Sequence, residues 1–258
     1  MSQYAFGTGN MYVTPLTDAR GNAIANPTPM PLMTLQDGAI DFSGDVKELY
    51  GQNQFAQAVG RGKVKMTVKV KPARIFAAVW NAMFFGQTLN SGLMAVNTDT
   101  IGQAVPSTGP YTITVAPPSS GTFVSDAGVL DANGNPMTRV ASSPATGQYS
   151  LSVLTGVYTF ASADSGKTVY INYMYSATTG VGTAQKMTVQ NLPMGYAPTF
   201  KADLTVAYLG KLTTMSFRRA MPTKMSIGFK NEDFAIPEFD FSAFDDGTGN
   251  ILDLSTSE

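Results

Sequence analysis

The sequence predicts a mainly β protein: a β-sandwich or half-barrel flanked by one α-helix over about residues 72–85, with a small β-module inserted in it. Three observations carry this expectation. Lys63 to Lys71 alternate strictly, with Val64, Met66, Val68 and Val70 on one face and Lys63, Lys65, Thr67, Lys69 and Lys71 on the other, the period of a half-buried strand. From about Thr100, short apolar alternations recur roughly every 10 residues among Gly, Ser, Thr and Pro, the texture of a small sandwich. After Pro72, Ile75, Phe76, Val79 and Met83 follow at helical spacings of three and four.

Taken in order, the stretch up to Pro31 reads as a strand, a turn at Asp18 to Asn22, and an extended arm in which Pro27, Pro29 and Pro31 bar regular helix. Leu35 to Asp45 form a second strand, with Asp37, Asp41 and Asp45 on the face opposite Ile40 and Phe42. Those carboxylates are placed to meet the lysines of Lys63 to Lys71 across an antiparallel pair. The connection Gly44 to Gly62 exceeds the usual hairpin loop of about 2 to 5 residues, and long ordered loops tend to bind something, so it reads as an interaction loop. Pro72 suits a first helical turn and Gly86 a stop.

A module at residues 105–178 follows, with strands near Tyr111 to Val115, Tyr149 to Val153, Val157 to Phe160 and Thr168 to Tyr175, and a tight turn at Asn133-Gly134. Phe123, Tyr158, Phe160, Tyr170, Tyr173 and Tyr175 supply aromatic mass for a core, which favours order over disorder there. Residues 1–104 and 179–258 form the main domain around it. Beyond Gly195 the expected strands are Phe200 to Leu209, Leu212 to Arg218, Lys224 to Lys230 and Phe234 to Phe244, with Pro237 at an edge or bulge. From Asp245 the polar, acidic chain reads as a surface extension.

At 258 residues the chain can bury a real core, as one large domain or two small ones. With 43% hydrophobic and 14% charged residues it reads as an ordinary soluble globular protein, and no apolar run approaches the roughly 18 residues of a membrane span. Met1 to Asn10 lacks the pattern of a secretory signal, from which cytoplasmic synthesis is expected. Cysteine and histidine are both absent, which removes disulfides, thiolate nucleophiles, the usual general base and the commonest metal ligands. No catalytic, cofactor-binding or metal-binding set is expected. Gly60-Arg61-Gly62-Lys63 lacks phosphate-loop spacing, and a strand rather than a helix follows it. A net charge of -1 gives no basis for tight nucleic-acid binding. Arg218-Arg219 reads as one ionic contact at a strand end or subunit boundary.

Glu48 to Ala56, Gly60 to Lys65 and Phe84 to Gly86 resemble the ELYGQxQFA loop, the GRGKxK strand entry and the helix closing on FFG of bacteriophage tail tube proteins, also called major tail proteins. Asn231 to Asn250 is similar to the closing strand and turn of the same family, and the inserted module looks like modules of its larger members. The resemblance implies a non-catalytic virion protein of the tail, assembled in the host cytoplasm, that forms stacked hexameric rings around a conduit for DNA ejection. It implies further copies of the chain, a tape-measure protein and a sheath as partners, the module on the tube exterior, and DNA passing without specific binding.

Under it, Asp37, Asp41, Lys65 and Lys69 are expected to line the lumen, and Glu48, Tyr50, Gln54, Phe55 and Arg61 to lie at a subunit interface. Ordinary exposed ion pairs on an outer sheet are the plainer reading of those lysines and aspartates. Two other functions stay open: a carbohydrate- or surface-binding β-module of a tail fibre or decoration protein, which exposed aromatics would favour, and a hydrolase built on a carboxylate pair.

Overall fold

A computed structural model describes residues 7–74 and 77–257 of the chain, and it is mainly β with one short helical segment. The chain divides into two units: one made of the residues up to Leu89 together with those from Met187 onward, the other of Asn90–Lys186.

In the first unit, β1 (Asn10–Pro15) pairs with β2 (Met30–Tyr50), which pairs with β3 (Ala56–Pro72). From β3 the order continues through Pro237–Ala243 and Lys211–Ile227 to Phe200–Tyr208, which pairs back onto β1. All these pairings are antiparallel, and together they close six strands into a ring, further than a half-barrel. Closure needs one strand to serve two neighbours. Lys211–Ile227 bonds Phe200–Tyr208 up to Ala220 and Pro237–Ala243 from Ala220 onward, with register shifts beside both junctions. The sequence reads this strand as two, Leu212 to Arg218 and Lys224 to Lys230, with Arg218-Arg219 interrupting it beside Pro222. Pro222 is instead accommodated at a register shift next to Lys224, where a missing N–H is tolerated.

Inward residues of the ring form one core in which Phe200, Phe217, Phe239 and Phe241 are fully buried. The Phe241 ring meets those of Phe200 and Phe217 edge to face, at centroid distances of 5.3 and 5.7 Å. Burying each such ring stabilises the fold by roughly 1.5–3 kcal/mol. Val79 and Met83 join this core from the helical segment, which is α1 (Ala77–Trp80) followed by a wider π turn over Asn81–Phe85. Ile75 and Phe76, two of the four residues that predict the helix, lie outside the described residues. Pro72 does not begin the helix; it ends β3, buried and paired with Leu35. Gly86 stops the segment at φ 58° while its N–H donates to Asn81 O at 2.6 Å, and a Cβ there would collide with the Ala19 backbone. The buried Asn81 side chain completes the turn by bonding both the N–H and the carbonyl of Gln87.

Asp18 forms the expected turn, its carboxylate accepting from the backbone N–H groups of Arg20 and Asn22. The C-terminal stretch departs from expectation. Leu252–Thr256 is a strand on Lys211–Ile227, and Arg218 holds it with two bonds to Asp253, at 2.8 and 3.0 Å, and an ion pair to Asp246. A polar segment therefore becomes a strand without burying much, because backbone pairing and one bidentate ion pair hold it.

The second unit is a two-sheet sandwich. One sheet is built on Gln148–Ser152, Val157–Phe160, Thr112–Thr114 and Thr138–Arg139. The other places Leu93–Asn97, Gln103–Ala104 and Thr122–Asp131 on Thr168–Ala177. This unit begins at Asn90 rather than residue 105 and ends at Lys186 rather than 178, since Leu93–Asn97 is a strand of its sheet. Entry and exit are neighbours: Asn90 and Ser91 pair with Lys186 and Gln185. Asn133-Gly134 sits in the expected tight turn, with Gly134 at φ 82°.

Candidate functional site

Two surfaces of the first unit bring together the residues the sequence singles out. One is the outward, polar face of the closed sheet. Because β3 alternates, Met66, Val68 and Val70 point into the core and Lys65, Thr67, Lys69 and Lys71 point out. The register sets Lys71 opposite Asp37 and Lys65 opposite Ser43, with Asp41 opposite Thr67 and diagonal to Lys69. Lys71 Nζ lies 3.3 Å from Asp37 and Lys69 Nζ 3.9 Å from Asp41. These pairs are exposed, so each contributes only about 0–1 kcal/mol. The expected meeting of lysines and aspartates is there, but Asp37 serves Lys71, and Lys65 has no acidic partner among the described residues.

The neighbouring strand adds residues that the sequence analysis does not single out. Pro237–Ala243 alternates, and with Phe239 and Phe241 inward its Glu238, Asp240 and Ser242 join the polar face, Asp240 opposite both Lys69 and Lys224. Lys224 Nζ is 3.3 Å from Glu238. Asp240 Oδ1 and Ser242 Oγ are shielded and have no hydrogen-bond partner among the described residues. Positive and negative groups thus alternate across four strands. The alternation in Glu238-Phe239-Asp240-Phe241-Ser242 is the signal that locates these residues from sequence.

The other surface is the connection between β2 and β3. It is not a loop. The ladder runs from Leu35–Pro72 to Tyr50–Ala56, leaving only residues 51–55 at the tip, so Gly44 to Gly62 is largely a two-stranded arm. Its pairing leaves no signal in the sequence, because an arm with both faces in solvent imposes no alternation of apolar and polar residues. Along the inward face of β2 and β3, exposure climbs toward the arm. Val70 is 1% and Met66 5% exposed, whereas Val64 is 52% and Phe42 61% exposed. Val64, expected in the core, therefore stands outside it. Farther out, Val46, Glu48, Val59 and Arg61 share one face and Lys47 and Leu49 the other, all exposed.

The five expected interface residues all lie here, Gln54 and Phe55 at the tip with Phe55 84% exposed. The Tyr50 hydroxyl donates to Glu48, a bond to the protonated phenol that raises the Tyr50 pKa. The arm has free edges as well. Ladder partners of β1 stop at Thr34 on β2 and those of Pro237–Ala243 stop at Met66 on β3, so beyond Leu35 on β2 and before Met66 on β3 the two strands have only each other as ladder partners among the described residues.

Carboxylates in the second unit are committed to structure. Asp164, buried, accepts from Gly147 N–H at 2.9 Å and Lys167 Nζ at 2.8 Å. Asp126, its side chain 7% exposed, accepts from the hydroxyls of Tyr149 at 2.7 Å and Tyr158 at 3.0 Å. The aromatics there are core residues or half-buried; Tyr149, Tyr158, Phe160, Tyr173 and Tyr175 are buried. Among the described residues, no group of three or more potential ligands is placed to hold a metal ion, and no helix is long and apolar enough to cross a membrane. No protein-family model and no curated protein matches this chain.

Proposed function

We propose that this chain is a self-assembling structural subunit of a phage tail tube, building hexameric rings that stack around a channel for DNA. The observation that carries the reading is the β2–β3 arm. A two-stranded hairpin is marginal in water by itself, and this one carries an apolar stripe out of the core along Phe42 and Val64 and ends on an exposed Phe55. Its free edges offer unpaired backbone groups to another strand. Further copies of the same chain supply both a strand and an apolar surface.

In this reading the protein is architectural rather than catalytic and acts in the virion tail, with a tape-measure protein and a sheath as further partners. The alternating charges around Asp37, Asp41, Lys65 and Lys69 line the channel, where near-neutral polar groups let a polyanion slide without being held. Negative-stain microscopy and sedimentation of the purified protein test the assembly: rings or tubes are expected, and a monomer at every concentration would sink it. Lys65→Glu combined with Lys69→Glu tests the lining. Rings should still form, with altered occupancy of the channel by DNA or a tape-measure protein; unaltered occupancy returns these lysines to an outer wall.

A further inference from the structure

Within the inserted unit, three connections enclose a cavity of about 400 Å³ that the assembly reading does not use. Its size falls toward the low end of the roughly 300–1,000 Å³ usual for small-molecule sites. The walls are the turn after Thr122–Asp131, the loop before Gln148–Ser152 and the turn before Thr168–Ala177. Each is held by its own bonds. Asp131 Oδ1 accepts from the N–H groups of Asn133 and Asn135, at 2.8 and 2.9 Å, and Ala145 N–H donates to Gln148 Oε1 at 3.0 Å. Buried Asp164 ties the second wall to the third through Gly147 N–H and Lys167 Nζ. Val169, buried, and Met137, packed against the unit's core, supply an apolar lining.

The groups left free in this lining are of one kind. The Asn133 amide and the Thr146 and Thr168 hydroxyls make no side-chain hydrogen bond within the described residues. Lys167 gives one ammonium N–H to Asp164 and keeps further donors. The charges, by contrast, are already answered inside the wall: Asp164 by Lys167, and Asp131 by backbone N–H groups and the Asn135 amide. An ion entering here would shed its hydration and meet no uncompensated opposite charge, whereas a neutral polar ligand sheds far less. We infer that this cavity binds an uncharged pyranose sugar, with its C–H face on Met137 and Val169 and its hydroxyls on Asn133, Thr146, Thr168 and Lys167. A pyranose carries hydroxyls that both donate and accept around a ring with an apolar face, which is the complement of this lining. Walls fixed before binding keep the cost of ordering low. The cavity lies wholly within the inserted unit, so the inference stands apart from ring assembly.

Saturation-transfer NMR on the full chain is the test, since it detects weak ligands on single copies and on assemblies alike. The probes are methyl glucoside, methyl galactoside and N-acetylglucosamine, with glucose 6-phosphate as the charged control. Transfer to at least one neutral probe is expected, with a dissociation constant on the order of 1 mM, and little to the phosphate. Asn133→Ala with Thr146→Val should weaken binding about tenfold. Both side chains are exposed, so circular dichroism should match the wild type, and Thr100→Val, exposed on the same unit outside the cavity, should bind normally. Displacement of the bound probe by dextran or galactan assigns the site to the end of a polysaccharide, and no displacement assigns it to a free sugar. Absence of transfer to every neutral probe, equal transfer to the phosphate, or undiminished binding by the double variant overturns the inference. None of these outcomes bears on the assembly reading, which sedimentation tests separately.

Discussion

Asp126 joins the two sheets of the inserted unit at the scale of single atoms. It sits on Thr122–Asp131, beside a register shift between Asn172 and Tyr173, and receives hydroxyls from Tyr149 and Tyr158 on the facing sheet. Burial, and then the neighbouring carboxylate, push both tyrosine pKa values up, so the phenols stay protonated and keep donating. Asp126→Ala strands two buried hydroxyls and should cost the unit about 2–4 kcal/mol in urea unfolding, whereas an exposed control such as Asp233→Ala should be near neutral.

Asp99 in the same unit works differently. Partial burial raises its pKa, but the backbone N–H groups of Gly102, Ile171 and Ile101 outweigh burial and hold it below the usual carboxylate value. A carboxylate depressed in the folded state contributes stability above its unfolded pKa and loses it as pH falls through the folded one. Asp99→Asn should therefore flatten the loss of stability of this unit on acidification below the ordinary aspartate range, measured as melting temperature against pH.

At the scale of elements, β3 belongs to two environments. Its C-terminal half is clamped between β2 and Pro237–Ala243 with Val68 and Val70 buried, while its N-terminal half has only β2 for company. Local stability should fall along one strand. In dilute protein, amides of residues 56–63 should exchange hydrogen orders of magnitude faster than those of residues 66–70, and assembly should slow the first group alone. Equal protection in the unassembled chain would mean that the arm is stable unaided. The polar C-terminal strand Leu252–Thr256 makes a related point, since backbone pairing and Arg218 hold it with little apolar burial.

Over the whole molecule, the inserted unit has its own core and leaves the first unit through neighbouring strands, Asn90–Ser91 paired with Gln185–Lys186. Removing residues 90–186 and joining Leu89 to Met187 through a short Gly/Ser linker therefore closes a short gap. The shortened chain should still fold and polymerise, by circular dichroism and sedimentation; collapse of the first unit would show that it draws stability from the insertion.

Much of this architecture is local chemistry and is legible in the sequence. Alternation over Lys63 to Lys71 and over Thr168 to Tyr175 marks strands, faces and cores because one side chain in two must leave water. Asp18 and Asn133-Gly134 mark turns because their backbone needs are met within a few residues. The same logic puts Asp37 and Asp41 on the polar face of one strand and Lys65 and Lys69 on the polar face of another before their pairing is known. Partner choice is another matter. That Lys211–Ile227 serves two neighbours and closes the ring, that Leu93–Asn97 belongs to the inserted unit, and that Gly44 to Gly62 is a paired arm are decided by hydrogen bonds between residues far apart in the chain. Tertiary structure alone sets these, because a backbone amide carries no side-chain signal of which carbonyl it will meet.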